Sequence, residues 1–191
     1  MFSLNVPLPP GIGRLAGDLH SKLSGFDRVR DRHTLVCKRF GVDDIDVSAG
    51  TGVDASVREG PQPPRAEAVE TLRRDLRGLL SGTVPFEVAV TGLDAFETPA
   101  SGAGPVVYLA VESDELVRLH RRLCAAYEAI DGIEGGDYVP HVTLARGGKP
   151  DAVGEAMSRI RGVGISPIRW RVHALDLYDP EFREVAATIE L

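Results

Sequence analysis

The sequence has few cysteines and no long apolar run, and each shortage excludes a class of protein. Its two cysteines, Cys37 and Cys124, lie far apart, without a Cys-x-x-Cys pairing or a histidine at metal-ligand spacing. We therefore expect no structural metal site, and we expect both thiols to be small buried groups rather than redox or nucleophilic ones. No apolar run approaches the roughly 20 residues that a membrane-spanning helix needs, so we expect no membrane segment.

An excess of basic residues is also missing. The net charge of −6 argues against broad, backbone-driven binding to long nucleic acid, although a local basic cleft is compatible with it. The apolar stretch from Phe2 to Val6 is short, is interrupted by Ser3 and Asn5 and has no basic leader, so it predicts a first strand rather than a signal peptide. We therefore expect a cytoplasmic protein.

Hydrophobic spacing along the chain predicts alternating strands and helices. Alternating apolar residues or a strong β composition predict strands over residues 2–6, 33–40, 86–90, 106–111, 138–146, 168–178 and 184–191. Apolar residues at helical spacing predict helices over residues 12–23, 63–80, 113–130 and 150–161. The Asp, Gly and Ser residues between 42 and 60 predict the longest loop, and a Pro/Gly/Ser loop follows at 98–105.

The order of these elements repeats in the second half of the chain. Thr34-Leu35 and Thr143-Leu144 each lie on the strand after the first helix of their half, 109 residues apart. We therefore predict one domain of residues 1–191 made of two lobes, approximately 1–100 and 101–191. Two such lobes place equivalent strands face to face across a cleft.

The strongest chemical signal is the segment YVPHVTLAR, residues 138–146. Residues two apart share a face of a strand, so His141 and Thr143 point one way while Val142 and Leu144 point into the core. A histidine beside a threonine hydroxyl on a rigid strand can move a proton while the hydroxyl holds a phosphate oxygen. Taken alone, the His-x-Thr pattern fits a structural strand histidine better.

The segment PHVTLAR, placed late in a strand and helix repeat of this length, resembles the second signature of the 2H phosphoesterase superfamily. The likeness is greatest to the 2′-5′ RNA ligase-like or RNA 2′,3′-cyclic phosphodiesterase branch and covers nearly the whole chain. It implies an α/β (α+β) fold of two pseudo-symmetric lobes, with facing antiparallel sheets and outer helices around a central cleft. It also implies a hydrolase without metal or other cofactor, in which two HxTx motifs act on 2′,3′-cyclic or 2′-5′ phosphodiester bonds.

The first copy of the motif departs from that pattern, because it reads DRHTLV over residues 31–36. Aligning Thr34 with Thr143 places Arg32 opposite His141, whereas His33 points away from the cleft in a regular strand. We predict Arg32 in the cleft rather than a bulge that turns His33 inward. An arginine can bind phosphate and stabilise negative charge, but it stays protonated and cannot shuttle a proton. The predicted catalytic residues are therefore His141, Thr143, Thr34 and Arg32.

Five further residues are predicted to bind substrate. Lys38 and Arg146 continue the two motif strands and are candidate phosphate contacts, with surface positions as the competing interpretation. His33 and His173 are candidates to replace the missing histidine. The face that His173 shares with Arg169 and Arg171 is either an anion-binding strip or a solvated sheet face.

Tyr138, the fifth of these residues, has two interpretations. It is a candidate for stacking on a base, and it also fits a half-buried strand tyrosine. His20 and His120 lie on predicted helices beside charged residues, and we expect both at the surface.

Three functions remain compatible with the altered first motif. They are a slow or altered phosphoesterase, an enzyme in which His33 or His173 substitutes, and an inactive module that binds phosphate-terminated nucleotides or RNA. Losing one acid-base group costs roughly 10² to 10⁴ in rate. We expect the partner to be an RNA terminus or a small nucleotide phosphate, and we expect a monomer, because two fused lobes complete the site.

Overall fold

The protein is described by a computed structural model over residues 1–41, 45 and 65–191. The strands are β1 (Phe2–Val6), β2 (Arg28–Val29), β3 (Leu35–Phe40), β4 (Phe86–Phe96), β5 (Val106–Glu112), β6 (His141–Arg146), β7 (Ile168–Val172), β8 (Ala174–Asp179) and β9 (Glu184–Glu190). The helices are α1 (Pro10–His20), α2 (Arg65–Leu80), α3 (Asp114–Ala126) and α4 (Pro150–Arg161), with short 3-10 helices at Ser21–Leu23 and Gly135–Asp137. Across these described residues, no helix is both long and apolar enough to cross a membrane.

Most differences from the predicted elements lie at their ends. Strand β4 continues to Phe96 because it pairs with the whole of β5, up to Phe96 opposite Val106. The predicted strand over 168–178 is two strands, because β7 pairs with β4 while β8 pairs with β1. Except for residue 45, the predicted loop around 42–60 lies outside the described residues.

The strands form a single antiparallel sheet in the order β7-β4-β5-β6-β3-β1-β8-β9, with β2 paired to β6. The two motif strands, β3 and β6, meet at its centre through Leu35 and Val142. On each side of this central pair, the sheet contains strands from both halves of the chain. On one side β1 lies next to β8 and β9, and on the other side β4 lies next to β5. The division into lobes of residues 1–100 and 101–191 stays a prediction.

The core lies on one face of this sheet. Leu35, Val142 and Leu109 are consecutive partners across β3, β6 and β5, and all three are fully buried. Each helix packs onto the same core, through Leu19 of α1, Leu72 of α2, Leu119 of α3 and Ile160 of α4. Because the helices cover this face, His141 and Thr143 of β6 lie on the opposite, open face.

Candidate active site

A cavity of about 420 Å³ lies over the central strands and receives the side chains predicted to be catalytic. Arg32, Thr34, His141 and Thr143 all line it. His33 is half-buried and is not among the residues that line the cavity, as regular alternation predicted. The structure therefore brings together the two motif regions, which are separated by more than half of the chain.

Arg146 lines the same cavity because β6 contains a bulge. Tyr108 of β5 pairs with Thr143 while Val107 pairs with Ala145, so Leu144 is the extra residue. One extra residue reverses the face of every side chain beyond it. Regular alternation would turn Arg146 toward the core, and the bulge turns it to the cavity.

A bulge in β3 overturns the prediction for Lys38. Leu4 pairs with Lys38 and Asn5 pairs with Val36, so Cys37 is the extra residue. Lys38 is therefore fully buried on the core side, where it neither contacts a phosphate nor lies at the surface. Arg39, which the sequence analysis missed, takes the position on the cavity side.

The cavity is rich in arginine although the protein is acidic. Arg30 lines it together with Arg32, Arg39 and Arg146, and one carboxylate, that of Asp137, lies among the lining residues. The alternate arginines of the segment RVRDR, residues 28–32, are the sequence signal that could have identified Arg30. This local excess of positive charge suits a phosphate-bearing ligand.

The imidazole of His141 is held in one tautomer. Its Nδ1 lies 2.7 Å from the carbonyl oxygen of Val139, and because a carbonyl only accepts, Nδ1 donates the proton. Burial lowers the pKa of His141; the bond to Val139 opposes that shift, while Arg39 and Arg146 add to it. The neutral ring therefore keeps the lone pair of Nε2 for accepting a proton.

Arg32 is held by the hairpin of β8 and β9. Its Nη1 donates to the hydroxyl of Tyr178 at 2.9 Å and to the carbonyl oxygen of Arg183 at 3.1 Å. The turn end of this hairpin is bound in turn by Arg65 of α2, whose Nε donates to Asp179 at 2.7 Å. Arg32 thus has a fixed place at the cavity, with guanidinium N–H groups left for a ligand.

A buried ion pair fixes the cavity wall formed by residues 128–139. The Nζ of Lys38 lies 2.7 Å from Oε2 of Glu134, and both side chains are fully buried. The Glu134 carboxylate also accepts from the backbone N–H groups of Arg39 at 2.8 Å and Ile130 at 3.1 Å. Lys38 donates in addition to the carbonyl oxygen of Glu128 at 2.8 Å. The wall is therefore bound to β3 at the position of Arg39.

His120 belongs to the same wall, so the prediction of a surface position is wrong. It is fully buried, with Nδ1 donating to the carbonyl oxygen of Cys37 at 2.6 Å and Nε2 accepting from the N–H of Gly135 at 2.8 Å. Charged neighbours in the sequence suggested exposure. The better signal was spacing, because His120 lies four residues after Leu116, on the apolar face of α3.

Tyr138 lines the cavity but is held from two sides. Its ring stacks on that of His120 with centroids 3.8 Å apart, and its hydroxyl donates to the carbonyl oxygen of Val36 at 2.8 Å. The half-buried position agrees with the second interpretation of this tyrosine. These contacts fix the backbone beside Val139, whose carbonyl oxygen orients His141.

His173 lies away from the site. It is exposed between β7 and β8 and is not among the residues that line the cavity. Its neighbours on the same face are bound to other groups, since Arg169 pairs with Glu87 at 3.0 Å and Arg171 donates to the carbonyl oxygen of Pro85. This strip is therefore a solvated sheet face.

We expect acidification to destabilise the protein in part through His120. Burial lowers the pKa of His120 below its ordinary 6.5, so an unfolded chain takes up a proton there more readily than the folded protein. The stability that His120 contributes is present above the pKa that it has in the unfolded chain. This stability is lost as the pH falls from that value through the lower pKa of the folded protein. Burial shifts His33 and His141 in the same direction.

Urea unfolding of His120→Gln between about pH 7.5 and pH 5 measures this contribution. We expect the free energy of unfolding to fall less steeply with decreasing pH than in the unmodified protein. His20→Gln, which removes an exposed histidine from α1, is the control. Equal slopes in His120→Gln and the unmodified protein would contradict the assignment.

Comparisons with known proteins agree with this fold. The family model of the 2′-5′ RNA ligase superfamily matches residues 59–181. The crystal structure of TT0787 of Thermus thermophilus is similar, with a TM-score of 0.56 and 20% identity over 100% of this chain and 97% of that chain. A comparison with curated proteins finds no match. The predicted 2H phosphoesterase-like α/β fold is thereby confirmed, and the chain belongs to the 2′-5′ RNA ligase superfamily.

Proposed function

We propose that the protein is a metal-independent phosphoesterase that acts on 2′,3′-cyclic or 2′-5′ phosphodiester bonds of RNA ends or small nucleotides. The observation that carries this proposal is the convergence of Arg32, Thr34, His141 and Thr143 on one cavity. Family membership supports the same general chemistry. For this function we keep the expectations of a monomer and of a cytoplasmic location.

Each of the four groups has a role that follows from its chemistry. Nε2 of His141 takes a proton from water as the water oxygen bonds to phosphorus and one ester bond breaks. The hydroxyls of Thr34 and Thr143 donate hydrogen bonds to the non-bridging phosphate oxygens, and Arg32 stabilises the growing negative charge. The leaving oxygen takes its proton from solvent, because Arg32 cannot supply one, and this predicts slow turnover.

Replacing Arg32 by histidine tests this assignment. Hydrolysis of 2′,3′-cyclic AMP in the presence of a chelator is followed by ³¹P NMR for both proteins. We expect slow turnover in the unmodified protein and a gain of about 10²-fold in Arg32→His, the lower end of what one acid-base group contributes. Arg171→His changes an exposed arginine outside the cavity and serves as the control. A slower Arg32→His enzyme would contradict the role given to this position.

The second candidate function is an inactive module that binds phosphate-terminated nucleotides or RNA. It is favoured by the bonds of Arg32 to Tyr178 and Arg183, which make this position a fixed cation without proton-transfer ability. This function predicts nucleotide binding without turnover in calorimetry. Arg32→Ala would then weaken binding more than His141→Ala does.

A further inference from the structure

Three arginines form a cluster at one end of the cavity. Arg28 of β2 is the direct cross-strand partner of Arg146 of β6, and the backbone N–H of Arg30 donates to the carbonyl oxygen of Leu144 at 2.7 Å. Arg30 and Arg146 line the cavity. Arg28 extends the cluster beyond the lining residues, so positive charge continues outward from the site.

This arginine cluster has no counter-charge within the part of the chain that the structure describes. Asp27 and Asp31 flank it in sequence, yet no described carboxylate makes an ion pair with any of the three guanidinium groups. Like charges directly opposite each other on paired strands are destabilising. An anion held between the three groups would remove that repulsion.

Arg146 shows the strain of this arrangement most clearly. Its Nε is buried and has no hydrogen-bond partner among the described residues. Burial lowers its pKa, and Arg30 and Arg28 lower it further. Gly102, with φ of 76°, lies against its guanidinium, so that a side chain there would collide with Arg146. The loop that contains Gly102 therefore packs directly against the guanidinium of Arg146.

The arginine cluster is separate from the position of the reacting phosphate. Arg146 pairs with Val106 and Thr143 pairs with Tyr108, two residues apart on β5, which is about 7 Å at the usual rise of a strand. Thr34, His141 and Thr143 surround the reacting group, so a group held by the cluster lies farther along the same ligand. In a nucleotide, the ribose separates a phosphate on O5′ from a phosphate on the 2′ and 3′ oxygens.

We propose that Arg28, Arg30 and Arg146 form a subsite for a second phosphate, carried on O5′ of the nucleotide whose 2′,3′-phosphate reacts at His141. This inference rests on the proposed function and narrows its substrate class to nucleotides with two phosphates. The second phosphate is either a terminal 5′-phosphate or the internucleotide phosphate of an RNA end.

Three substrates distinguish these sources: 2′,3′-cyclic AMP, its 5′-phosphorylated form, and the dinucleotide ApA that ends in a 2′,3′-cyclic phosphate. The readout is the ratio of kcat/KM with and without the second phosphate. We expect this ratio to be about tenfold or more in the unmodified protein, the effect of at least one charge-assisted hydrogen bond. We expect it to approach one in the double variant Arg28→Gln/Arg30→Gln. Arg77→Gln, an exposed arginine of α2, controls for the loss of charge.

The outcomes separate the subsite from the proposed function. A preference for both phosphorylated substrates assigns the subsite to any 5′-phosphate, and a preference for ApA alone assigns it to an internucleotide phosphate. A ratio near one in the unmodified protein, or a ratio that the double variant keeps, overturns the proposal. If no substrate turns over, calorimetry with adenosine 2′-phosphate and adenosine 2′,5′-bisphosphate measures the same preference in binding. Tighter binding of the bisphosphate that depends on Arg28 and Arg30 then supports the subsite although the proposed function has failed.

Discussion

Replacing His141 by alanine is expected to lower the turnover of 2′,3′-cyclic AMP by roughly 10² to 10⁴-fold. The imidazole is neutral, its Nδ1 is bound to Val139, and its Nε2 is left as the base that activates water. Alanine keeps the backbone of β6 and the hydroxyl of Thr143 but removes that base. Steady-state kinetics with a chelator present, together with circular dichroism to confirm folding, measures the loss.

The pH dependence of the same reaction gives an independent check. Only the neutral imidazole accepts a proton, so kcat/KM should fall on the acidic side as His141 becomes protonated. Because burial lowers its pKa, we expect that fall below the ordinary value of 6.5 rather than at it. His173→Ala removes an exposed histidine outside the cavity and should leave both the rate and the pH profile unchanged. Full activity in His141→Ala would rule out the mechanism.

Replacing Glu134 by alanine is expected to lower the free energy of unfolding by about 3 to 5 kcal/mol. The change leaves the ammonium of Lys38 fully buried without a counter-charge. It also removes the acceptor for the backbone N–H groups of Arg39 and Ile130. Urea unfolding, analysed by linear extrapolation, measures the difference.

A double variant separates the buried charge from the rest of the structure. Lys38→Met/Glu134→Gln removes both charges, and the glutamine oxygen can still accept from the backbone, so we expect most of the lost stability to return. Glu115→Ala breaks an exposed ion pair with Arg118 and should cost about 0.5 kcal/mol or less. An equally destabilised double variant would show that the unpaired lysine is not the cause.

Local patterns in the sequence determined which segments form strands and helices and which residues make up the motif. Alternation on β6 placed His141 and Thr143 opposite Val142 and Leu144, and the structure has that arrangement. Such patterns are informative because the period of a strand or helix depends on neighbours only a few residues away. The α/β class and the four helices of the described chain follow from the same local information. Aligning residues 31–36 with the HxTx segment at residues 141–144 also singled out Arg32 rather than His33.

Only the tertiary structure decided which cations face the cavity. The bulges at Cys37 and Leu144 arise from pairing with β1 and β5, and they turn Lys38 away from the cavity and Arg146 toward it. The partner of Lys38 lies 96 residues away, and the hydroxyl that holds Arg32 lies 146 residues away. The alternation of residues along the sequence does not contain this information. One extra residue in a paired strand exchanges the faces on which the following side chains lie. The pairing of distant strands therefore sets the electrostatics of the site.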